Sequence, residues 1–474
     1  MNKSKEVKAG LGYMVGNVLI KGISFITLPV FTRLLTTEDF GIYNTYGAYA
    51  SILAILIGLG MYSSVKNASY DYKEEINTYI TTLISILGIC AGIVMLIGVV
   101  FSKEIKALTN FSHIIIIMMV FEAFGTAILN IANSELSLKY DYKRYLVYAG
   151  INTIGNISLS LILINFISEN RALGRIIGSA LPIFGLGCYI AYSYLRKTKH
   201  LFNKKMARYA LIFGLPLVWH YLAQNIASQF DRIMITSLVG NSQTGIYSFV
   251  YTIANIFSIL FYSTDNVWSV WFYKQMEEKN YEEIRKNAER YIVLFDFIAI
   301  LMMVCSREII MLMSSIEYWK GADLFMPIIV GLFFLFLYTI PVSIEYYYKE
   351  TKYIAITTFA SAIVNIVLNY IFIQLLGYKA AAYTTACSYF VMFITHWIIS
   401  KRVMRKFCSE DLFKLGVFFK HIILIVIVAF VVFKLNSLYW IKYMIFIILG
   451  GILLMLYKNE VKQFLFLTGV IKKK

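Results

Sequence analysis

Apolar runs about 20 residues long, separated by short polar stretches, follow one another along almost the whole chain. A helix needs about 20 mainly apolar residues to cross the hydrocarbon core of a bilayer. Fourteen segments meet this requirement, and they are centred on 11–32, 42–64, 79–101, 114–135, 145–165, 175–195, 207–230, 245–268, 291–313, 324–345, 353–375, 380–400, 415–434 and 438–457. The runs are too long, and alternate too little, for the strands of a membrane barrel. The pattern therefore predicts an all-α polytopic membrane protein with about 14 transmembrane helices.

The composition supports the same class. Of the 474 residues, 59% are hydrophobic and 15% are charged, and the mean hydropathy is +0.68. Soluble domains have roughly 45–50% apolar and about 25% charged residues. The net charge of +17 would suggest nucleic-acid binding in a soluble protein, but basic cytoplasmic loops explain it in a membrane protein. We therefore expect the lipid bilayer, and no nucleic acid, as a partner.

The basic residues also predict the topology. With both termini in the cytoplasm, the tails and inner loops hold 31 lysines and arginines, whereas the outer loops hold about 10. This excess on one side follows the positive-inside rule. The segments 196–208, 274–290 and 401–414 carry much of the charge. We expect a multi-pass protein of the bacterial inner membrane with both termini in the cytoplasm.

The sequence contains no pattern that indicates enzymatic chemistry. No predicted loop exceeds roughly 20 residues, and the patterns G-x-x-x-x-G-K-S/T, H-E-x-x-H and G-x-S-x-G are absent. The five cysteines are scattered without a C-x-x-C pair, which favours neither a metal site nor a disulfide framework. We predict that the protein is not an enzyme and that it needs no cofactor or metal.

The two halves of the chain resemble each other. Four pairs of runs recur in the same order: Phe31 and Arg33 with Phe230 and Arg232, Gly41-Ile42-Tyr43 with Gly245-Ile246-Tyr247, Tyr72 to Ile76 with Tyr281 to Ile284, and Asn156 to Ser160 with Asn365 to Asn369. The offset is 204 residues for the Gly-Ile-Tyr runs and 209 for the asparagine runs. Six predicted helices separate the copies, so both copies have the same orientation in the membrane.

This parallel repeat predicts the domain organisation. We expect an N-lobe at 1–200 with spans one to six, a C-lobe at 201–405 with spans seven to twelve, and a segment at 406–474 with spans thirteen and fourteen and a basic tail. A pseudo-two-fold axis along the membrane normal would relate the two six-helix lobes. Such repeats are typical of transporters that work by alternating access around a central site.

Two runs resemble a known family. The run from Phe31 to Tyr43, with Arg33-Leu34-Leu35 and Phe40-Gly41-Ile42-Tyr43, resembles the opening signature of bacterial polysaccharide flippases of the multidrug/oligosaccharidyl-lipid/polysaccharide exporter superfamily. Asn365, Asn369 and Gly377, followed by Ala380 to Thr385, are similar to the family's eleventh and twelfth helices. The resemblance covers essentially the whole chain. It implies fourteen helices in two lobes.

The resemblance also implies a substrate. That substrate would be an undecaprenyl-diphosphate-linked oligosaccharide, flipped across the inner membrane for O-antigen, capsule or exopolysaccharide synthesis, with a polysaccharide polymerase and chain-length machinery as further partners. The alternatives are a cation-coupled multidrug antiporter of the same superfamily, a cell-wall precursor flippase, and a membrane glycan polymerase or transferase. The absence of a large loop argues against the last of these.

Polar residues inside the predicted spans are the candidate substrate-binding residues, because such residues usually face a cavity or a partner. Lys21, with Asn17 one turn before it, would give a cation for a diphosphate. Spans seven and eight carry polar and aromatic stripes that could line a wet cleft and stack on sugar rings. These stripes provide His220, Gln224, Asn225, Tyr251, Asn255, Tyr262 and Asp265, and the repeat-related Arg33 and Arg232 complete the set. Helix–helix packing and snorkelling are the structural alternatives.

Intramembrane acids and prolines supply two further predictions. The candidates for ion coupling are Glu122, Asp231, Asp296 and Glu345. Structural pairing is the alternative for these acids. Pro29 and Pro216 lie in the first helices of the two lobes, where a missing backbone hydrogen bond permits a bend. They are the candidate hinges.

Overall fold

The computed structural model describes residues 3–198, 200–407 and 411–435, together with single positions between 440 and 451. For the helical residues 3–11, 14, 15, 17, 18, 21 and 266 it describes the backbone only. Throughout these ranges the regular structure is helical, as the apolar runs predict. The chain forms two compact units, residues 1–246 and 247–474.

The first unit contains nine complete helices and the beginning of a tenth within the described ranges. They are α1 (Lys3–Leu34), α2 (Thr37–Gly58), α3 (Val65–Asp71), α4 (Ile76–Val100), α5 (Ser102–Thr109), α6 (His113–Leu138), α7 (Tyr142–Phe166), α8 (Arg171–Leu195), α9 (Lys204–Leu238) and α10 (Asn241–Ala254). Short 3-10 turns lie at Met61–Ser64 and Lys73–Glu75. Apolar side chains of α4, α6 and α8 form the core, including Leu83, Ile128 and Ile190.

The second unit continues with seven described helices. They are α11 (Ile256–Glu277), α12 (Tyr281–Val304), α13 (Ser306–Met313), α14 (Phe325–Tyr347), α15 (Thr351–Leu376), α16 (Ala380–Phe407) and α17 (Leu415–Lys434). A 3-10 turn occupies Ile316–Leu324. Aromatic rings form much of its core; for example, the Phe295 and Phe336 ring centroids are 4.4 Å apart.

Eleven helical segments among the described residues are long and apolar enough to cross a membrane. They correspond to predicted spans two to eight and ten to thirteen. Span one falls in α1, of which 22–34 is a shorter apolar stretch, and span nine falls in α12, whose first half is charged. Span fourteen, at 438–457, lies largely outside the described residues. The total of fourteen and the arrangement in two lobes stay predictions.

Three predicted spans differ from the helices in extent. Span two was expected to reach residue 64, but α2 ends at Gly58, where Leu59 and Gly60 take left-handed backbone angles. Span eight comprises α10 and α11, which are continuous through Asn255 with helical backbone angles there (φ −64°, ψ −11°), and it extends beyond the predicted 245–268 at both ends. Span nine ends at Val304, and the separate helix α13 follows it. Apolar composition continues across these breaks, so hydropathy alone could not locate them.

Helices α5 and α13 extend the internal repeat. Ser102-Lys103-Glu104-Ile105 opens α5, and Ser306-Arg307-Glu308-Ile309 opens α13, again 204 residues apart. Both are short amphipathic helices that directly follow a long apolar helix. The two units therefore share this detail of secondary structure as well as the sequence runs.

Polar contacts tie the start of α2 to the start of α8. The Asp39 carboxylate accepts hydrogen bonds from the Thr36 backbone N–H at 3.1 Å and from the Ala172 backbone N–H at 3.2 Å. Thr36 and Asp39 thereby form a capping box. Arg171 donates to the Leu34 carbonyl at 2.9 Å. These contacts fix α2 and α8 beside each other, next to the polar groups described below.

Candidate substrate cavity

A cavity of about 340 Å³ lies within the first unit, between α2, the 3-10 turn after it, α6 and α9. Its lining residues are Ser51, Ala54, Ile55, Gly58, Gly60, Tyr62, Thr126, Ala127, Asn130, Ile131, Tyr221, Gln224, Asn225 and Ser228. No charged side chain occurs among these residues. Hydroxyls and carboxamides supply the polar surface of the cavity, and tyrosine rings supply aromatic surface. The volume of the cavity falls in the range of small-molecule sites.

Helical spacing explains the polar wall that α9 contributes. Tyr221, Asn225 and Ser228 follow one another at four and three residues, which places them on one face of the helix. The Ser51 hydroxyl of α2 donates to Asn225 Oδ1 at 3.1 Å. A further hydrogen bond of 2.7 Å joins the Ser63 and Tyr221 hydroxyls. The wall is therefore held in place by bonds to α2 and to the turn that follows it.

The end of α2 brings a second tyrosine to the cavity. Gly60 has φ +64°, and a Cβ there would lie 2.6 Å from the Gly214 carbonyl oxygen of α9. Only glycine fits this close approach in this conformation. The turn that results places the Tyr62 ring on the Tyr221 ring, with centroids 5.3 Å apart and planes at 28°. The cavity thus has a stacked aromatic pair beside amide and hydroxyl groups.

A cluster of polar side chains lies one turn from the cavity along α6. Glu122 precedes the cavity residue Thr126 by four positions. Its carboxylate oxygen Oε2 accepts hydrogen bonds from the Tyr46 hydroxyl at 2.8 Å and from the Ser179 hydroxyl at 3.1 Å. Arg175 also belongs to this cluster and interacts electrostatically with Glu122.

Arg175 is a buried cation with neutral hydrogen-bonding and aromatic partners. Its guanidinium carbon lies 4.2 Å from the ring centroids of Phe31 and Tyr43, which is a cation–π arrangement. Its Nη1 donates to Asn156 Oδ1 at 2.7 Å and to Ser160 Oγ at 2.6 Å. These contacts bring α1, α2, α7 and α8 together around one charge. Asn156 therefore joins helices, as polar residues in membrane helices often do.

The structure brings part of the predicted binding set together. Gln224 and Asn225 line the cavity. His220 lies outside the lining, with its ring 5.7 Å from that of Tyr221. Arg33 and Arg232 each donate to the carbonyl oxygen four residues earlier, Pro29 at 3.0 Å and Ser228 at 2.9 Å. These equivalent arginines thus make the same local bond in both copies of the repeat.

Lys21 and Asn17 occupy helix α1, but their side chains lie outside the described residues. Their predicted contact with the diphosphate therefore stays a prediction. Pro29 and Pro216 are both within continuous helices, α1 and α9. Their role as hinges likewise stays a prediction.

The remaining predicted binding residues belong to the second unit and differ in environment. Tyr251 is buried, with its hydroxyl 3.4 Å from that of Tyr389. Asn255 stands at the junction of α10 and α11 and is half-buried, as is Asp265, whereas Tyr262 is exposed. The residues of the stripe therefore do not share one environment.

The four predicted coupling acids have distinct surroundings. Asp296 pairs with His421 at 2.5 Å, and Glu345 pairs with His396 at 2.9 Å, both inside the second unit. Asp231 is buried in α9. Glu122, by contrast, is bound by the two hydroxyls described above. The pairs with histidine join α12 to α17 and α14 to α16, which is the structural alternative for Asp296 and Glu345.

Several residues of this region were not predicted from the sequence. Thr126 and Asn130 follow Glu122 at four-residue spacing in α6, but every position between them is apolar or glycine. Tyr62 lies within predicted span two. Predicted span six begins at Arg175, whereas α8 begins at Arg171, so the charge lies one turn inside the helix. A search for helix caps could have found it, since the Asn170 side chain accepts from the Leu173 N–H and marks the true start.

The apolar helices and the uncharged polar cavity define a multi-pass membrane protein with a hydrogen-bonding site inside one helical unit. The chain belongs to the polysaccharide biosynthesis protein family, whose model matches residues 7–272. The MatE family model matches residues 216–371. The family resemblance predicted from the Phe31–Tyr43 run is thereby confirmed.

Two curated relatives extend over most of the chain. It is 22% identical to Lsg locus putative protein 1 of Haemophilus influenzae over 373 residues, 76% of this chain and 90% of the relative. It is 23% identical to the capsular polysaccharide biosynthesis protein CapF of Staphylococcus aureus over 409 residues, 82% of this chain and 98% of that protein.

Solved structures show the same fold. The lipid II flippase MurJ in an inward closed conformation has a TM-score of 0.73 and 16% identity, covering 95% of this chain and 99% of MurJ. An inward-facing multidrug transporter of the MATE family has a TM-score of 0.66 and 14% identity, covering 81% of this chain and 94% of the transporter. The helical fold expected from the sequence is thus confirmed as that of MATE and MurJ.

Proposed function

We propose that this protein flips an undecaprenyl-diphosphate-linked oligosaccharide across the bacterial inner membrane by alternating access, for O-antigen, capsule or exopolysaccharide synthesis. The observation that carries the proposal is the cavity between α2, α6 and α9. A sugar ring presents apolar faces and many hydroxyls, and this cavity offers the Tyr62–Tyr221 ring pair beside the amides of Asn130, Gln224 and Asn225. The family and the relative named for capsular polysaccharide support the same class of cargo.

The architecture in the proposal is that of two lobes with 14 helices and both termini in the cytoplasm. The internal repeat and the excess of basic residues on one side support it. Lys21 would hold the diphosphate near the middle of α1, because an ammonium is a suitable point charge for phosphate. The cargo leaves covalently unchanged, and a polymerase with its chain-length machinery would take it at the outer leaflet.

The uncharged lining favours a sugar over the cargo of a drug antiporter. A cationic drug in a low-dielectric cavity needs a carboxylate partner, because an unpaired buried charge is costly. None of the residues that line the cavity provides one. This observation distinguishes the proposal from the multidrug alternative.

The test uses purified protein in proteoliposomes with lipid-linked oligosaccharide extracted from the source strain. The expected result is transfer of the lipid between leaflets without change in glycan mass and without phosphate release. Asn225→Leu should slow transfer, since it removes an amide from the cavity. Asn165→Leu is the matched control, because the Asn165 amide donates to the Leu161 carbonyl of its own helix at 2.8 Å and has no other hydrogen bond among the described residues. Absence of transfer by the wild-type protein, or an altered glycan, would contradict the proposal.

A further inference from the structure

Glu122 shares one face of α6 with the cavity. Glu122, Thr126 and Asn130 are spaced four residues apart, so they follow one another along the helix. Thr126 and Asn130 line the cavity, and Glu122 lies one turn beyond them. Glu122 as a whole residue is half-buried. A carboxyl in this position lies one helical turn from the contents of the cavity.

The contacts of Glu122 differ from those of three other intramembrane acids, Glu135, Asp296 and Glu345. Glu135, on the same helix, forms an ion pair with Lys139, while Asp296 and Glu345 pair with histidines. Within the described ranges, Glu122 has no basic side chain within 4.0 Å of its carboxylate, and its direct partners are the Tyr46 and Ser179 hydroxyls. Hydroxyls can donate or accept, so they can satisfy either protonation state of a carboxyl group.

The Ser179 hydroxyl has a second hydrogen-bond acceptor, so the direction of its hydrogen bond with Glu122 can reverse when Glu122 gains a proton. Ser179 Oγ lies 2.9 Å from the Ile176 carbonyl oxygen of its own helix. When Glu122 is ionised, Ser179 donates to Oε2. When Oε2 carries a proton, that proton can be donated to Ser179 Oγ while the serine donates to Ile176. The proton comes from water, and no side chain is left without a partner.

Arg175 supplies a fixed positive charge to the same cluster. Its charge acts on Glu122 through an electrostatic interaction. When Glu122 is neutral, Arg175 still has Asn156, Ser160 and the two aromatic rings as partners. The remaining titratable groups that face Glu122 within the described ranges are Tyr43 and Tyr46 of α2. Both forms of the cluster are therefore compatible with the surrounding helices.

We propose that Glu122 is the proton-binding carboxyl that couples transport to the transmembrane proton gradient. This inference rests on the proposed function, because the cargo is taken to occupy the cavity one turn away. Protonation changes the hydrogen bonds of Tyr46 and Ser179, which belong to α2 and α8. Since α2 and α6 also form walls of the cavity, the event alters the packing of the helices that hold the cargo.

The first test measures proton binding without any cargo. Infrared difference spectra of the purified protein are recorded as the pH is lowered, and the C=O stretching band of a newly protonated carboxyl is followed. Glu122→Gln should remove one such band, whereas Glu135→Gln should leave that band in place. An unchanged set of bands in Glu122→Gln would overturn the proposal.

The second test measures coupling in proteoliposomes with the extracted lipid-linked oligosaccharide. An imposed gradient should change the steady-state distribution of the lipid between leaflets by up to about tenfold per pH unit for one coupled proton, since a tenfold proton ratio corresponds to about 1.36 kcal/mol. Glu122→Gln should lose this response, and Glu135→Gln should keep it.

The outcomes separate the two proposals. If the wild-type protein transfers the lipid but ignores the gradient, or if Glu122→Gln keeps the response, the proton site is wrong and the flippase function stands. If the wild-type protein transfers no lipid, the proposed function fails, and the infrared measurement alone decides whether Glu122 binds a proton. If Glu122→Gln transfers no lipid while the wild-type protein does, the loss or retention of the infrared band again decides whether Glu122 binds a proton.

Discussion

Gly41 and Gly245, which hold equivalent positions in the two copies of the repeat, contact each other through backbone atoms where α2 meets α10. A Cβ on Gly41 would lie 1.8 Å from the Asn241 carbonyl oxygen, and a Cβ on Gly245 would lie 1.8 Å from the Thr37 carbonyl oxygen. The Thr37 and Ser242 hydroxyls are hydrogen-bonded at 2.7 Å beside this contact. The two repeat-related glycines therefore pack backbone to backbone, with glycine required on both sides.

We expect Gly41→Ala to destabilise the protein by about 1–3 kcal/mol, because backbone atoms cannot move aside for the added methyl group. Gly47→Ala is the matched control in the same helix, since a Cβ there meets nothing within 4 Å. That control should be neutral or should stabilise by about 0.5–1 kcal/mol. Thermal unfolding in detergent, followed by size-exclusion chromatography, measures both. Equal midpoints for the two variants would disprove the close contact.

The Tyr62–Tyr221 pair gives a test of the cavity. Tyr221→Phe keeps the ring and removes the bond to Ser63, which should weaken cargo binding by roughly 0.5–1.5 kcal/mol, about tenfold or less. Tyr221→Leu also removes the stacked ring and should cost more. Binding of the extracted lipid-linked oligosaccharide to purified protein provides the measurement. Tyr209→Phe, in α9 but outside the cavity lining, should bind like the wild type; a loss equal to that of Tyr221→Leu would show that the ring pair is unimportant.

Asp411 predicts a pH dependence outside the membrane helices. A hydrogen bond from Lys401 at 2.8 Å, assisted by Arg405, lowers the pKa of the Asp411 carboxyl below its ordinary value. Because the folded-state pKa is lower, Asp411 contributes stability above the unfolded-state pKa of about 3.9, and this contribution is lost as the pH falls through the folded-state value. Asp411→Asn should therefore lower the unfolding midpoint slightly at pH 7 and have a smaller effect near pH 3. A difference of equal size at both pH values would contradict the assignment.

Membrane orientation can be tested with single cysteines. Lys197, Lys279 and Lys406 are exposed residues from the three basic segments. After the native cysteines are replaced, a cysteine at each position should react only with reagent supplied from the cytoplasmic side. Lys103 and Glu169, at the opposite ends of the helices, serve as controls and should react from outside. Reaction of Lys279→Cys from outside would overturn the predicted topology.

Much of the fold could be predicted from sequence because apolar length governs helix formation in a bilayer. Helix breaks were harder to find. The end of α2 at Gly58 depends on the close approach of Gly60 to Gly214, which is a tertiary contact. The end of α12 at Val304 has no glycine or proline beside it to mark it. Hydropathy averages over about 20 residues and cannot record such local events.

The site was only partly predictable for a related reason. Gln224 and Asn225 were found because they belong to a polar stripe along one helix. Arg175 was not, since its partners lie on other helices and are distant in sequence. Arg175 joins residues 31, 43, 156 and 160, and no spacing along the chain indicates that they meet.

Two equivalent helix–helix contacts show how tandem halves can diverge: that of α7 with α8 and that of α15 with α16. At the position of Arg175, the second copy has Thr384, which donates to Asn369, the counterpart of Ser160. A charged hydrogen-bond donor in the first copy and a neutral one in the second thus occupy equivalent positions in equivalent helix pairs. In evolutionary terms, replacing one hydrogen-bond donor by another at this helix–helix contact keeps the backbone and alters the electrostatic character of one half alone. A protein built from two copies of one scaffold can in this way acquire an electrically asymmetric interior without acquiring a new fold.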